Sequence, residues 1–300
     1  MNRRVRIFQV DAFTTRMFTG NPASVVLDAH DLTEAELLAI ARELRGGDTA
    51  FVLPPDGADH DVRVRFFTPR AETAFVGHAT IAVHAVRAAL GIAPARRQQQ
   101  RNGVIDVGSH ESPHGRRYFF SQPPPPLHGA IDADGLSAIL QALGLERDEL
   151  DPLCSAVIAG ERGARALLAV RDGSSLARLR PDFARLAALS TAGHPPGFFV
   201  FTRSPAVPDC DTEARMFCPA IGIDEDPVSG NAHALLAMHL YSLRLVSDRN
   251  GEPAFVGRQG HHMGRPGIVG VTMQMAGEAI TSVRIDGSAV IAFEAGLELR

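Results

Sequence analysis

The sequence predicts an α+β protein of two pseudo-symmetric lobes, each a curved, mostly antiparallel sheet around a central buried helix. Three observations predict it. Two segments, His78 to Leu90 and Asn231 to Leu243, have helical periodicity but are apolar nearly all round, so each must be enclosed rather than laid on a surface. Each is approached in the same order: Phe67-x-Pro69 leads through a loop to Gly77-His78-Ala79, and Phe217-x-Pro219 leads through a loop three residues longer to Gly230-Asn231-Ala232. Between them stands SQPPPPLHG, whose prolines make an extended, stiff connection. The boundary is placed there. It gives an N-terminal lobe over 1–122, completed by a C-terminal strand over 288–300, and a C-terminal lobe over 127–287, with a cleft between them.

Taken in order, VRIFQVDAF and NPASVVLDA read as strands, and LTEAELLAIAREL as an amphipathic helix. Thr33 and Glu36 have capping-box spacing, while Leu37, Ile40, Ala41 and Leu44 recur on one helical face. Gly46 and Gly47 are expected to end this helix, since glycine accepts the left-handed conformation. TAFVL and DVRVRFF follow as strands, the second with Val62, Val64 and Phe66 opposite Arg63 and Arg65. The first buried helix comes next. In the second half, ARALLAV, GFFVFT and GIVGVTMQM read as strands, PDFARLAALS as a helix, and Asp286-Gly287 as a hairpin turn.

Composition narrows the function. A chain of 300 residues with 45% hydrophobic and 21% charged residues can bury a sizeable core, and its net charge of -4 offers no basic field for nucleic acid. Neither a signal peptide nor an 18-residue apolar run is present, so the cytoplasm is expected and a membrane is not. Three cysteines without CxxC spacing fit a reducing compartment. All 30 basic residues are arginine, and without lysine this chain cannot form a Schiff base, attach pyridoxal phosphate or build a P-loop. GxGxxG, GxSxG and HExxH are absent as well. The pair His261-His262 in QGHHMGRPG reads as part of a glycine-rich turn, not as a metal site, with Arg265 as an anion anchor.

The candidate chemistry collects at the two glycine-led helix starts. The first turn of a helix exposes unpaired N–H groups that attract anions, and glycine lets a ligand approach the backbone, so Gly77 and Gly230 could hold a substrate carboxylate. The local alternative is that both merely permit tight turns. His78 stands at the first start, where it reads either as a ligand-contacting imidazole or as a satisfied structural one. Asp226 closes a run of three loop acids with Asp224 and Glu225, and such runs are ordinarily solvated or cap a helix. Asp48, read alone, is the residue at which a strand begins after a Gly-Gly turn.

Five stretches in this order resemble the phenazine-biosynthesis PhzF-like family, of the diaminopimelate epimerase and proline racemase fold. They are VDAFTTRMFTGNPASVV, ARELRGGDTAFVL, FFTPRAETAFVGHATIAVHAV, RMFCPAIGIDEDPVSGNAHA and QGHHMGRPG, and they span essentially the whole chain. The resemblance implies a homodimer whose active site uses neither metal nor organic cofactor and takes a small carboxylate substrate. It also implies the isomerisation of trans-2,3-dihydro-3-hydroxyanthranilate or a similar cyclic acid, in which one carboxylate takes a proton from a ring carbon and returns it to another. The family's catalytic glutamate falls on Asp48. Its substrate-binding residues fall on Gly77, His78 and Asp226, and a serine-type position falls on Asn231. Epimerases of this fold use two cysteines, and no cysteine lies in either glycine motif here, so a two-thiol racemase is not expected. Aspartate keeps the carboxylate and a similar intrinsic pKa, about 3.9 against about 4.3. It is one methylene shorter, however, and a displacement of about 1 Å can cost roughly 100-fold in rate. A small-carboxylate-binding protein with impaired catalysis is therefore the alternative expectation.

Overall fold

In the computed structural model, which describes residues 3–45, 47–161 and 164–299, the strand VRVRFF alternates buried and half-exposed side chains as its sequence predicts. The described residues divide into two compact units, one running to Gln122 and resuming at Asp286, the other covering Pro123–Ile285.

The first unit contains β1 (Arg3–Ala12), β2 (Asn21–Leu27), α1 (Glu34–Leu44), β3 (Asp48–Leu53), β4 (Val62–Phe67), β5 (Glu72–Thr73), α2 (Gly77–Ala89), β6 (Arg97–Gln100), β7 (Gly103–Ser112) and β8 (Gly115–Gln122). Thr33 and Glu36 form the predicted reciprocal capping box, and Leu37, Ile40 and Ala41 pack with Val5, Ile7, Val26, Phe51 and Phe67. The helix ends differently from expectation. Arg45 itself takes the left-handed conformation at φ 42, and Gly46 lies outside the described residues. α2 is buried on nearly every side, from Gly77 through Val86, and Phe66, Phe75 and Phe120 meet edge to face in the same unit.

The second unit contains β9 (Leu127–Ala130), α3 (Ala133–Leu143), β10 (Val157–Ala159), β11 (Arg165–Val170), α4 (Gly173–Arg178), α5 (Phe183–Thr191), β12 (Gly197–Thr202), β13 (Thr212–Cys218), β14 (Ile223–Asp226), α6 (Gly230–Ser242), β15 (Ser247–Arg249), β16 (Glu252–Gln259), β17 (Gly267–Ala276) and most of β18 (Ala279–Gly287). α6 is its enclosed helix, while α3 and α5 cover the other face of the sheet through Ile139, Leu140, Leu143 and Leu186. The hairpin expected at Asp286-Gly287 does not form. Only Ser288 follows β18 before β19 (Ala289–Leu299), Gly287 is not left-handed, and β19 pairs antiparallel with β1.

Strand pairing repeats between the units. In the first, β1–β2, β2–β3, β3–β4, β4–β6 and β6–β7 run antiparallel, parallel, antiparallel, parallel, antiparallel. In the second, β10–β11, β11–β12, β12–β13, β13–β16 and β16–β17 follow the same alternation. Register makes residues equivalent. Thr49 lies opposite Phe67 and Phe198 opposite Phe217, so Asp48 corresponds to Gly197. Phe66 lies opposite Thr73 and Met216 opposite Asp226, so Thr73 corresponds to Asp226.

The cores are filled differently over this common frame. Thr80 of α2 and Gln98 of β6 hydrogen-bond in the first unit, Gln98 also reaching His84 at 3.0 Å. At the corresponding places the second unit has the fully buried His233 ring lying over Gly257, where an added Cβ would come within 2.3 Å of His233 Cδ2. Gly257→Ala is therefore expected to destabilise the protein by about 1–3 kcal/mol through overpacking. Adding His233→Ala should recover part of that loss. Chemical denaturation of the two single variants and the double variant checks this, and strict additivity would contradict the packing assignment.

Candidate active site

Asp48 opens β3, beside Ala23 of β2 in parallel register. The turn delivering it needs glycine at one position. Gly47 has φ 132, and a Cβ there would fall 2.6 Å from the Pro22 carbonyl oxygen. The Asp48 carboxylate therefore leaves a backbone with little freedom. Its Oδ2 stands 3.7 Å from His78 Nε2, with side-chain exposures of 23% for Asp48 and 14% for His78. At that separation the two do not hydrogen-bond directly, yet both can reach one small molecule. Burial pushes the Asp48 carboxyl up to about 6, because a poorly hydrated site disfavours the charged form.

His78 is the second residue of α2, whose N-cap, Val76, supplies no side-chain acceptor. Thr80 makes the first helical bond, to the Val76 carbonyl, so the hydrogen-bond ladder of α2 begins there. Such a terminus carries positive partial charge and accepts an anion. The loop ahead of α2 is held by Arg65, whose Nε and Nη2 donate to the two oxygens of Glu72, each at 2.8 Å, while its guanidinium lies over Phe67.

The second unit repeats this support. Arg215 donates through Nε and Nη2 to Glu225 at 2.9 and 2.8 Å and lies over Phe217. Neither pair is among the sequence expectations, although both units share Arg-x-Phe-x-Pro followed by a glutamate. The α6 start is more tightly bound than that of α2. Ser229 accepts from the Ala232 N–H, and Gln259 accepts from the Ser229 N–H while donating to the Asp226 carbonyl. Asp226 is half-buried on β14, Gly230 is buried at the helix start and Asn231 beside it is exposed.

The equivalence is broken where the chemistry would be. Gly197 takes the place of Asp48, and the space a side chain would fill there is occupied by Arg165, 2.4 Å from an added Cβ, with Cys218 Sγ at 3.0 Å. Only the first unit offers a carboxylate at this position. Val76 and Ser229 precede the two helix glycines, so neither start carries a thiol.

The sequence family described as phenazine biosynthesis-like protein matches residues 10–295. The chain belongs to this family. An uncharacterized isomerase of Clostridium acetobutylicum is 33% identical over the whole of both chains, and the uncharacterized isomerase YddE of Escherichia coli K12 is 35% identical over 97% of each. A phenazine biosynthesis protein of the PhzF family from Bacillus anthracis superposes with a TM-score of 0.87 over 98% of this chain and 99% of its own, at 24% identity. A hydroxyproline epimerase from Agrobacterium vitis shares the fold at a TM-score of 0.61 and 12% identity, covering 99% of this chain and 93% of its own. The fold is therefore diaminopimelate epimerase-like, and the family member described here is an isomerase. Among the described residues, no helix is long and apolar enough to cross a membrane.

A raised carboxyl has a thermodynamic consequence. With its folded pKa near 6 against an ordinary 3.8, Asp48 favours the native state in its protonated form, and that contribution is lost as pH rises from about 4 through about 6. Asp48→Asn removes the cost of burying the charge. The variant is expected to be more stable than the parent by about 1–3 kcal/mol above pH 6, with the difference vanishing below pH 4. Melting curves of both proteins across this range test it. A variant no more stable than the parent at pH 8 would mean that Asp48 is well solvated.

Proposed function

We propose that the protein moves a proton between two carbons of a small cyclic carboxylic acid, with Asp48 as the single acid/base. The observation that carries this reading is a poorly hydrated carboxylate, raised to about 6, set 3.7 Å from an imidazole at the uncapped start of a buried helix. A shuttle must accept and return a proton at comparable cost, and a carboxyl near 6 does so better than one at its intrinsic value. In this reading ionised Asp48 removes a proton from a ring carbon. The electron pair delocalises into the adjoining unsaturated system, and the neutral Asp48, whose carboxyl proton exchanges with solvent, then protonates another carbon. His78 donates to the polar group on which negative charge accumulates, and the N–H groups at Gly77 hold the substrate carboxylate. Asp226, Gly230 and Asn231 enter as substrate-orienting residues on the family resemblance. The reaction needs no oxidant, metal or organic cofactor, and trans-2,3-dihydro-3-hydroxyanthranilate is the reference substrate.

The second reading is a binding protein of the same fold with impaired catalysis. Its support is aspartate in place of glutamate on a backbone that Gly47 and Pro22 leave little room to advance. One experiment separates the two. Incubation in heavy water with dihydrohydroxyanthranilate and a panel of cyclic carboxylic acids should show deuterium entering a substrate carbon. Exchange should fall at least about 100-fold in Asp48→Asn, with binding retained. Deuterium entry at the parental rate in Asp48→Asn would remove the residue from the mechanism, and activity that appears only in Asp48→Glu would support the binding protein.

Because the shuttle starts ionised, kcat/KM for the substrate found is expected to fall tenfold per pH unit below about 6. His78→Gln should lower the rate with that acid limb still present. A profile flat from pH 5 to 8 would sink the assignment of Asp48 as base.

A further inference from the structure

We propose that Glu213, His261 and His262 form a binding site for one divalent transition-metal ion, with zinc the best match to the donor set. Glu213 lies on β13 with its side chain only 1% exposed. A carboxylate so buried requires strong compensation. One oxygen accepts the Ala206 N–H at 3.1 Å, and the other faces two imidazoles. These come from the turn GHHMG, in which Gly260 at φ 85 and Gly264 at φ 69 bracket a single 3-10 turn, His261–Met263. The turn is fixed in place, since a Cβ on Gly260 would strike the carbonyl oxygens of Arg265 and Pro227 at 2.3 and 2.6 Å.

His261 Nε2 lies 2.6 Å and His262 Nε2 3.9 Å from Glu213 Oε1, and the three ligand atoms are all within 4.8 Å of one another. Zinc binds imidazole nitrogen and carboxylate oxygen at about 2.0–2.2 Å in tetrahedral geometry, which sets its donors about 3.3–3.5 Å apart. The present separations straddle that spacing. An ion would replace the His261–Glu213 hydrogen bond, with His261 moving away from Glu213 and His262 moving toward it. It would also satisfy an otherwise unexplained atom: among the described residues, His262 Nε2 is buried without a hydrogen-bond partner while pointing at a carboxylate. The Ala206 N–H bond orients Glu213 from behind, as outer-shell donors do at metal centres. Two positive side chains stand close by. Arg215 is neutralised by its bidentate pair with Glu225, whereas Arg258 lies opposite Glu213 in register and is the cation with which a metal competes. Two imidazoles and a glutamate leave a fourth position open for water.

No spacing along the chain marks this site, because its ligands are adjacent histidines and a glutamate from a distant strand, so QGHHMGRPG by itself reads only as a turn. The proposal does not rest on the Asp48 chemistry and is tested without any substrate. Tag-free full-length protein, stripped with chelator and desalted, is titrated with zinc chloride by calorimetry and with cobalt(II) chloride by visible absorption. One ion per chain is expected, with a raised melting temperature and cobalt bands of tetrahedral intensity. Outer-shell partners alone are worth about 10–100-fold in affinity, so His261→Ala/His262→Ala should weaken zinc by at least about tenfold. The partly exposed His262→Gln, which leaves the Glu213–His261 bond intact and so keeps the fold, should do the same, and His30→Ala should bind as the parent does. Failure of the parent to take up zinc overturns the proposal. So does binding that persists unchanged in the folded His262→Gln protein.

Discussion

A helix that is apolar on every side cannot rest on a surface, and this constraint organises each unit. α2 and α6 bury nearly their whole circumference, so other elements must pack around them, and the chain must enter each helix through a loop with little freedom. The entry loops are held alike. An arginine on the preceding strand grips a glutamate just ahead of the helix with two parallel hydrogen bonds and covers a phenylalanine, as Arg65, Glu72 and Phe67 do in one unit and Arg215, Glu225 and Phe217 in the other. Bidentate geometry gives direction as well as attraction, and it aims the first helical turn.

From that shared frame the two units diverge chemically. In the first, the helix start has no side-chain cap and faces a carboxylate whose charge is disfavoured by burial. In the second, Ser229 caps the helix, Gln259 ties down the approach, and a glycine with an arginine packed over it takes the carboxylate's place. A duplicated fold thus carries one candidate acid/base rather than two. Single-carboxylate proton transfer fits that asymmetry better than the two-base chemistry of epimerases with paired thiols.

Burial that raises the Asp48 carboxyl also makes it costly. The same loss of hydration destabilises the ionised native state. Gly47 belongs to this arrangement. Its backbone conformation and its contact with Pro22 leave no room for a side chain, so the position of Asp48 rests on a residue chosen for what it lacks.

Much of the fold was legible in the sequence. The capping box of Thr33 and Glu36, the alternation in VRVRFF and the all-round apolar runs of α2 and α6 follow from local periodicity, which governs hydrogen bonding within a segment and the face it buries. The helix stop at Arg45 and the continuation from β18 into β19 were not legible, because each depends on what the chain meets next and not on its own residues. For the candidate site, the sequence by itself supplied residue types: a lone acid after two glycines, a histidine at a helix start and adjacent histidines in a turn. Only tertiary structure decided that Asp48 is desolvated beside His78, that its counterpart is Gly197 under Arg165, and that His261 and His262 face Glu213. The reason is physical. Hydration, register across strands and the convergence of distant side chains are properties of packed space, and no spacing along the chain encodes them one residue at a time.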